Sequence, residues 1–245
     1  MPDPLPSEPA WILASRSPRR QAFLSALGLP HRVVAADVDE NPLPGEEPGS
    51  LALRLALEKA QAVARRHPDG YVVAADTVVA LGDTLLGKPA DEDEAVAMLR
   101  LLRGREHRVF SALAVLAGPL GRGAADLAAI PVHMRDYGDG EVLAYVRTGD
   151  PLDKAGGYAI QHGGFRPVAA IRGCYAGVMG FPLCHFRRML RALGIPFRDD
   201  VPDLCQGHTG APCLVHPEVL AGEPLRAFPL DNSAWPSATA GDSRR

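Results

Sequence analysis

The sequence predicts an α/β fold with a twisted, mostly buried central sheet flanked by helices. Short apolar runs typical of strands alternate with segments of helical periodicity from residue 12 to residue 193. Residues 71–75 form a continuously apolar run, which is typical of a strand covered on both faces. The chain has 245 residues, which is enough for one domain with a full hydrophobic core.

The first strand and the first helix meet at a basic hexapeptide, residues 15–20. Residues 12–15 are predicted as a strand and residues 18–27 as a helix, with Ser17 as its N-cap and Gly28 as a left-handed C-cap. Three arginines crowd the helix start: Arg16, Arg19 and Arg20. Free backbone N–H groups beside arginines favour phosphate binding, and a solvated basic helix end is the plain alternative. Because no carboxylate lies in the first turn to neutralise the arginines, we favour phosphate.

The middle of the chain supplies two helix starts and a hairpin. Ser50 is predicted to cap a long Ala/Leu helix that ends near residue 67. Asp91 and Glu94 have the spacing of a capping box, and Gly82-Asp83 marks a hairpin turn. The other predicted elements are strands at 31–36, 71–75, 78–81, 84–86, 109–116, 127–132 and 168–171, helices at 140–147 and 182–193, and loops at 37–49 and 150–166.

The chain divides into a flexible N-terminus (1–9), a folded domain (10–197) and a C-terminal extension (198–245). The extension lacks hydrophobic periodicity and is predicted to be disordered. The N-terminus lacks the features of a signal peptide, and no apolar stretch is long enough to span a bilayer. A net charge of −3 argues against binding to nucleic acid polymers. These features predict a cytoplasmic protein with no membrane partner.

The cysteines leave one alternative for the extension. The chain has four of them, too few for a disulfide framework, which indicates a reducing compartment. Cys205, His208, Cys213 and His216 form two Cys-x-x-His pairs, and two cysteines with two histidines can close a tetrahedral zinc site. We favour an incidental arrangement in a disordered tail, because little chain is available to pack around a metal ion.

Charged residues next to the apolar strands indicate a polyphosphate site. Asp76 closes the run 71–75, and a carboxylate at the carboxyl end of a buried strand lies at the ligand-binding edge of an α/β sheet, although it could also cap a turn. The other candidates are Asp39, Glu40, Glu58, Lys59, Lys88, Asp153 and Lys154. Lysine and arginine neutralise phosphate oxygens, while carboxylates hold a hard divalent cation or deprotonate an attacking water. Each of these residues alone would equally suit a solvated turn.

Several nucleotide-enzyme motifs are missing from the sequence. It has no G-x-x-x-x-G-K-[ST] segment, which excludes a P-loop NTPase. The segment Gly121-Arg122-Gly123 lacks the third glycine of a dinucleotide fingerprint, and the Gly-x-Ser-x-Gly elbow of serine hydrolases is also missing. The polyphosphate chemistry must therefore rest on the charged residues described above.

Six motifs follow one another along the chain: residues 15–20, 58–60, 75–77, 87–89, 153–161 and 178–183. In order and spacing they resemble the motifs of the Maf family of nucleoside triphosphate pyrophosphatases, over residues 11–194. The resemblance implies a two-lobed α/β fold with a central cleft. It also implies cleavage of a nucleoside triphosphate between the α- and β-phosphates, with a divalent cation, expected to be Mg²⁺, to give the monophosphate and pyrophosphate.

The resemblance implies roles for nine residues. Asp76 matches the proton acceptor of the family. Arg19, Thr77 and Gln161 match the three positions that mark the branch acting on dTTP and UTP, whereas the branch acting on 7-methyl-GTP has a glutamate in place of Gln161. Ser15, Arg20, Glu40, Lys59 and Lys88 match other active-site positions, expected to contact the triphosphate or the metal. Asp76 and Glu40 are the candidate metal ligands. At Ser111, Gly177 and Phe181 the chain departs from the residues that the family most often has.

The chemistry of the base supports the assignment of Gln161. A glutamine amide offers a donor and an acceptor, which match the N3–H donor and a carbonyl acceptor of uracil or thymine. A carboxylate offers only acceptors, which suit the adjacent N–H donors of guanine. A site built for one pattern leaves polar groups unpaired with the other base, so discrimination can be large.

Two other functions remain open from the sequence. A nucleotide-binding regulator of cell division with little turnover is the alternative from another class, and the complete charged set favours an enzyme over it. A house-cleaning enzyme for modified pyrimidine triphosphates would share the same chemistry. The sequence leaves open which pyrimidine is preferred, how many metal ions bind and whether the chain forms a homodimer.

Overall fold

A computed structural model describes residues 10–230 and confirms the predicted α/β fold. The strands are β1 (Trp11–Leu13), β2 (His31–Val33), β3 (Tyr71–Leu81), β4 (Thr84–Leu86), β5 (Glu106–Ala117), β6 (Arg122–Met134), β7 (Val168–Ile171) and β8 (Phe228–Pro229). The helices are α1 (Pro18–Ala26), α2 (Pro48–Ala64), α3 (Glu92–Leu102), α4 (Asp139–Val146), α5 (Tyr175–Val178), α6 (Leu183–Leu193), α7 (Val201–Thr209) and α8 (His216–Ala221). Short 3₁₀ turns cover Gly118–Leu120, Asp150–Asp153 and Ala155–Gly157.

One mixed sheet organises the protein. Its strand order is β2-β1-β3-β5-β6-β7, with β4 beside β3 and β8 beside β6. The short strand β1 runs parallel to β2 and to β3, whereas the pairs β3–β5, β5–β6 and β6–β7 are antiparallel. Because β1 ends at Leu13, opposite Val73, the rest of β3 continues past it. This step in the sheet is where the cleft described below opens.

Helices cover both faces of the sheet. On one face α2 packs Leu51, Leu55 and Val63 against the sheet residues Val72 and Leu116. A second and larger apolar cluster on the other face joins α1, α3, α4 and α6 to the sheet. The central strands are therefore buried on both sides, as the apolar run at 71–75 predicts.

The hairpin and the Asp91 cap are confirmed, but the capping box is incomplete, because the Glu94 carboxylate accepts the backbone N–H of Ala90 rather than that of Asp91. Two other helix starts differ from the prediction. Asp91 accepts the backbone N–H of Glu94 at 2.8 Å, and β3 pairs with β4 through the turn at Gly82-Asp83. Ser17 occupies the N-cap position of α1, but its side chain makes no capping hydrogen bond. Helix α2 begins at Pro48, before Ser50, because proline suits the first helical position.

Strand β3 is longer than predicted, which changes the setting of Asp76. The predicted strands 71–75 and 78–81 form one strand of eleven residues. Its ladder with β5 is unbroken from Tyr71, opposite Ala117, to Ala80, opposite Arg108. Asp76 therefore does not close the strand. It lies in the middle of β3, three residues beyond the end of the pairing with β1.

Residues 198–230 also differ from the predicted disorder. They form α7, α8 and β8, and Val201, Cys205 and Phe228 are buried against the domain. Phe228 fills a gap beside Gly123, where a Cβ atom would lie only 2.5 Å from the phenylalanine ring. The apolar residues of this segment are too widely spaced to give a periodic pattern, which explains why the sequence does not predict it. Residues 1–9 and 231–245, predicted to be flexible and disordered, lie outside the described residues.

Two absences bear on function within residues 10–230. None of the helices there combines the length and apolar character needed to cross a membrane. No three histidine, cysteine, aspartate or glutamate side chains are arranged to hold a metal ion. The zinc alternative for the extension is thus not supported: Cys205 is buried, and the ring of His208 instead packs against Phe23, with 4.9 Å between ring centroids.

Candidate active site

A cleft of about 1060 Å³ opens at the step between β1 and β3. All nine residues to which the sequence assigns a role line it: Ser15, Arg19, Arg20, Glu40, Lys59, Asp76, Thr77, Lys88 and Gln161. They come from the β1–α1 junction, the loop after β2, helix α2, strand β3, the loop after β4 and the loop before β7. The structure thus brings the predicted residues together, while their roles remain predictions.

One wall of the cleft, which we call the charged wall, consists of Ser15, Arg20, Glu40, Lys59, Asp76 and Thr77. Its centre is Lys59 of α2, whose Nζ lies 2.6 Å from Asp76 Oδ1 and 2.6 Å from Glu40 Oε1. Lys59 and Asp76 are buried, at 9% and 7% exposure, whereas Glu40 is exposed. A buried lysine and a buried aspartate stabilise each other only as a pair, because either charge alone would lack its counter-ion.

The electrostatics of Glu40 follow from this arrangement. Partial burial acts to raise the pKa of its carboxyl group, but the hydrogen bond and the positive charge of Lys59 outweigh burial and lower the pKa below its usual value. Lys88 and Arg20 add smaller effects in the same direction. Glu40 is therefore ionised at neutral pH and available to a cation.

Arg20 anchors the other half of the charged wall. Its guanidinium donates to the Gly180 carbonyl at 3.1 Å, to Ser15 Oγ at 3.1 Å and to Thr77 Oγ1 at 3.0 Å. Gly180 has a φ of +95°, and a Cβ atom there would lie 2.9 Å from Thr77 Oγ1. Only glycine therefore lets the chain approach Arg20 and Thr77 this closely. Burial lowers the pKa of Arg20, and the charge of Asp76 partly offsets this effect.

A second group of lining residues, which we call the loop wall, consists of Lys88 and residues from the segment 153–161. Lys88 and Gln161 are exposed and face the cleft from irregular backbone. The two loops are joined by a hydrogen bond from the Gly156 N–H to the Gly87 carbonyl, at 2.9 Å. Lys154 is buried and donates to Asp150, with Nζ 3.0 Å from Oδ1. The loop wall is thus held by backbone and side-chain hydrogen bonds rather than by strands or helices.

Some charged residues singled out in the sequence do not line the cleft. Glu58 pairs with Arg54 at 3.2 Å on the outer side of α2, and Asp39 accepts from the Asn41 backbone at 3.0 Å. The plain alternative, a solvated or locally bonded side chain, is the better description of both. Arg16 lines the cleft but is exposed.

Sequence reasoning missed residues that support the walls from behind. Ser111 is fully buried on β5, donates to the Gly177 carbonyl at 2.7 Å and lies 3.2 Å from Thr77 Oγ1. Two departures from the family pattern, Ser111 and Gly177, are therefore bonded to each other directly behind Thr77. Behind the loop wall, His107 Nε2 lies 2.7 Å from the hydroxyl of Tyr158. A buried serine or histidine has no sequence signal that separates it from an ordinary core residue.

Comparisons with known proteins agree with this geometry. A family model described as "Maf-like protein" matches residues 10–193. The chain belongs to the Maf family. Among its relatives, a dTTP/UTP pyrophosphatase of Desulfotalea psychrophila is 47% identical over 172 residues, which are 70% of this chain and 88% of the relative.

Two other Maf relatives carry the same name. The dTTP/UTP pyrophosphatase of Thermomicrobium roseum is 46% identical over 210 residues, 83% of this chain and 95% of the relative. That of Deinococcus radiodurans is 44% identical over 192 residues, 78% of this chain and 97% of the relative. The Thermomicrobium roseum match covers more of the chain than residues 10–193, so part of it lies outside the stretch that the family model matches.

The donor set of the cleft suits a divalent cation. Asp76 and Glu40 each bring a carboxylate oxygen to within 2.6 Å of the same Lys59 ammonium group. Mg²⁺ is commonly bound by one or two carboxylates, with phosphate oxygens of the substrate and water completing the shell. Two converging carboxylates therefore fit Mg²⁺ bound together with a triphosphate better than a metal ion held by protein ligands alone.

Proposed function

We propose that this protein is a nucleoside triphosphate pyrophosphatase that hydrolyses dTTP and UTP to the monophosphate and pyrophosphate. One observation carries the proposal: a single cleft gathers a paired lysine and aspartate, a multiply bonded arginine and an exposed glutamine. Three relatives named dTTP/UTP pyrophosphatase, at 44–47% identity, support it. The charges suit the triphosphate, and the amide suits a pyrimidine base.

In the proposed reaction Asp76 accepts the proton of the attacking water. A carboxylate has two oxygens, so Asp76 can bond Lys59 through Oδ1 and still accept a proton at Oδ2. The water oxygen bonds to the α-phosphorus, the bond from that phosphorus to the bridging oxygen breaks, and the electron pair leaves with pyrophosphate. Arg20, Lys59 and Lys88 would neutralise the charge that develops on the phosphate oxygens, and Ser15 would orient them.

Asp76 and Glu40 would hold the divalent cation, which we propose to be Mg²⁺. When bound with the triphosphate, the cation would neutralise phosphate charge and polarise the α-phosphate. The pairing of both carboxylates with Lys59 keeps them close together before substrate arrives. The charged wall would then need little rearrangement during the reaction.

Arg19, Thr77 and Gln161 are proposed to select the base. Gln161 would donate to a carbonyl oxygen of uracil or thymine and accept from N3–H. Thr77 is held by Arg20 and Ser111, at 3.0 and 3.2 Å, which fixes its hydroxyl on the charged wall. Arg19 lines the cleft at the start of α1, and it would contact the nucleotide from there.

A substrate panel tests the proposal. Purified protein with Mg²⁺ is incubated with UTP, dTTP, CTP, GTP, 7-methyl-GTP and the 5-methyl forms of UTP and CTP, and pyrophosphate and orthophosphate are measured separately. We expect pyrophosphate in a one-to-one ratio with UMP or dTMP, and the highest kcat/KM for UTP and dTTP. Release of orthophosphate alone would contradict the reaction. Tight nucleotide binding without product would favour the regulatory alternative, and a preference for a 5-methyl form would favour house-cleaning.

The cellular setting and assembly complete the proposal. We propose a cytosolic enzyme that acts on free nucleotides, because its proposed substrate is a nucleoside triphosphate and the net charge of −3 does not favour a nucleic acid polymer. A homodimer is compatible with the cleft, because all nine assigned residues come from one chain. Sedimentation of the purified protein measures its oligomeric state.

A further inference from the structure

Gln161 sits in a loop whose shape depends on a few contacts. The segment 158–167 contains no helix or strand, and Gln161 is exposed within it. A half-turn of a glutamine amide exchanges its donor and its acceptor, so the same side chain can match either uracil or cytosine. Discrimination between these bases therefore requires the amide, and the backbone that carries it, to be held in one orientation.

Tyr145 of α4 holds this loop on both sides of Gln161. Its hydroxyl accepts the backbone N–H of Ala159 at 3.0 Å, two residues before Gln161. Its ring packs against His162, the next residue after Gln161, with 4.7 Å between ring centroids. It also stacks on Phe165, with 4.5 Å between centroids and 17° between planes. Tyr145 is 2% exposed, so these contacts are shielded from water.

Asp150 fixes the orientation of the tyrosine hydroxyl. The hydroxyl donates to Asp150 Oδ2 at 2.6 Å, which leaves its lone pair for the Ala159 N–H. Lys154 in turn holds Asp150 through Oδ1 at 3.0 Å. Burial, followed by the hydrogen bond to Asp150 and its negative charge, raises the pKa of Tyr145. The hydroxyl therefore remains protonated, and a hydrogen-bond donor, at neutral pH.

We propose that Tyr145 is a positioning residue that sets base selectivity by fixing the Gln161 loop. The proposal rests on the function proposed above, in which Gln161 contacts the base. Tyr145 does not itself line the cleft, so it acts only through the loop. Its loss would lower the preference for uracil over cytosine more than it lowers the rate of hydrolysis.

The test replaces Tyr145 by phenylalanine, with a matched control on the same aromatic cluster. Tyr145→Phe keeps the ring and removes both hydroxyl hydrogen bonds. Tyr137→Phe is the control, because Tyr137 is also buried, also packs on Phe165, at 4.8 Å, and donates to the Leu99 carbonyl at 2.7 Å rather than to the loop. The readout is kcat/KM for UTP divided by kcat/KM for CTP, with thermal unfolding of each variant measured in parallel.

We expect Tyr145→Phe to lower this ratio about tenfold and Tyr137→Phe to leave it unchanged. Loss of folded protein would lower both activities in proportion and leave the ratio intact. If Tyr145→Phe fails to fold, Asp150→Asn keeps the tyrosine and removes its charged partner, and we expect a smaller fall in the ratio. An unchanged ratio, or equal falls in both tyrosine variants, would overturn the role of Tyr145. Equal wild-type activity on UTP and CTP would instead overturn the proposed base recognition itself.

Discussion

The two walls of the cleft are built in different ways. On the charged wall, Lys59, Asp76 and Arg20 lie on regular elements and bond one another or nearby oxygens at 2.6–3.1 Å. On the loop wall, Lys88 and Gln161 are exposed on irregular backbone. The loop wall is shaped by residues behind it, Tyr145 and His107, which do not line the cleft.

This difference indicates a division of labour. Charges that are paired before substrate binds cost no reorganisation during the reaction, so the charged wall is suited to the chemical step. A loop held by a few hydrogen bonds can be reshaped by single substitutions without disturbing the sheet, so the loop that carries Gln161 is suited to selecting the base. Changes at Lys59, Asp76 and Arg20 on the charged wall should therefore alter the rate for every nucleotide, and changes at Gln161 on the loop wall should alter the ratio between nucleotides.

The largest expected effect comes from the proposed proton acceptor. Asp76→Asn should lower kcat by about a thousandfold for UTP and CTP alike, because an amide cannot take the proton of the attacking water. Steady-state rates of pyrophosphate release measure this effect. Asp139→Asn is the control, since Asp139 is an exposed carboxylate that pairs with Arg100 at 2.7 Å, away from the cleft. A change in the UTP-to-CTP ratio in Asp76→Asn would break the proposed division.

On the loop wall, Gln161→Glu should lower kcat/KM for UTP and dTTP about a hundredfold. The carboxylate would face a carbonyl oxygen of the base and could donate no hydrogen bond to it. Gln161 is exposed, so thermal unfolding should not change. Gln61→Glu makes the same chemical change on α2, outside the cleft, and should leave kcat/KM intact. An equal loss for all nucleotides would show that Gln161 acts on the phosphates and not on the base.

The proposed metal-binding role of Glu40 predicts a smaller effect. Glu40→Gln should raise the Mg²⁺ concentration for half-maximal rate about tenfold, because one of two carboxylate ligands becomes neutral. Titration of Mg²⁺ at saturating UTP measures the shift, and saturating Mg²⁺ should restore most of the rate. The neighbouring variant Asp39→Asn should need the same Mg²⁺ concentration for half-maximal rate as the wild type, since Asp39 lies outside the cleft. A rate that no Mg²⁺ concentration restores would assign Glu40 to the chemical step instead.

The smallest effect concerns the pH dependence of stability behind the loop wall. Burial lowers the pKa of His107 to about 4, below the 6.5 expected in the unfolded chain. The unfolded chain therefore binds the proton first as the pH falls, and the free energy of unfolding decreases. As the pH falls from about 7 to about 5.5, His107 should lower the free energy of unfolding by about 1 kcal/mol.

Chemical denaturation at the two pH values, with and without His107→Gln, measures the contribution of His107. Glutamine can keep the hydrogen bond to Tyr158 but does not titrate. Between the two pH values the free energy of unfolding of the variant should therefore fall by about 1 kcal/mol less than that of the wild type. His133→Gln replaces an exposed histidine on the adjacent strand and should behave as the wild type. Equal pH dependence in His107→Gln and the wild type would contradict the effect.

The charged wall could be predicted from the sequence better than the loop wall could. Lys59, Asp76 and Arg20 belong to short motifs whose chemistry indicates phosphate binding before the fold is known. The position of Asp76 in the middle of β3 could not be predicted, because it depends on where the pairing with β1 ends and the ladder with β5 continues. Tyr145 carried no signal either. In the sequence it is one more apolar position of α4, and only the structure shows that its hydroxyl donates to Asp150 and accepts from the Ala159 N–H.

The extension shows a second limit of the sequence. Local composition predicts disorder after residue 197, yet Val201, Cys205 and Phe228 pack on the domain. Few apolar residues suffice there because the domain already supplies the other side of each contact. Phe228 in particular depends on the space beside Gly123, which no local pattern can reveal.

The central claim is that water attacks the α-phosphorus beside Asp76, and hydrolysis of UTP in ¹⁸O-labelled water tests it most directly. Mass spectrometry of the products locates the oxygen that the water contributed. The arrangement of the charged wall predicts one labelled oxygen in UMP and unlabelled pyrophosphate. Label in pyrophosphate, or in orthophosphate accompanied by UDP, would contradict the account.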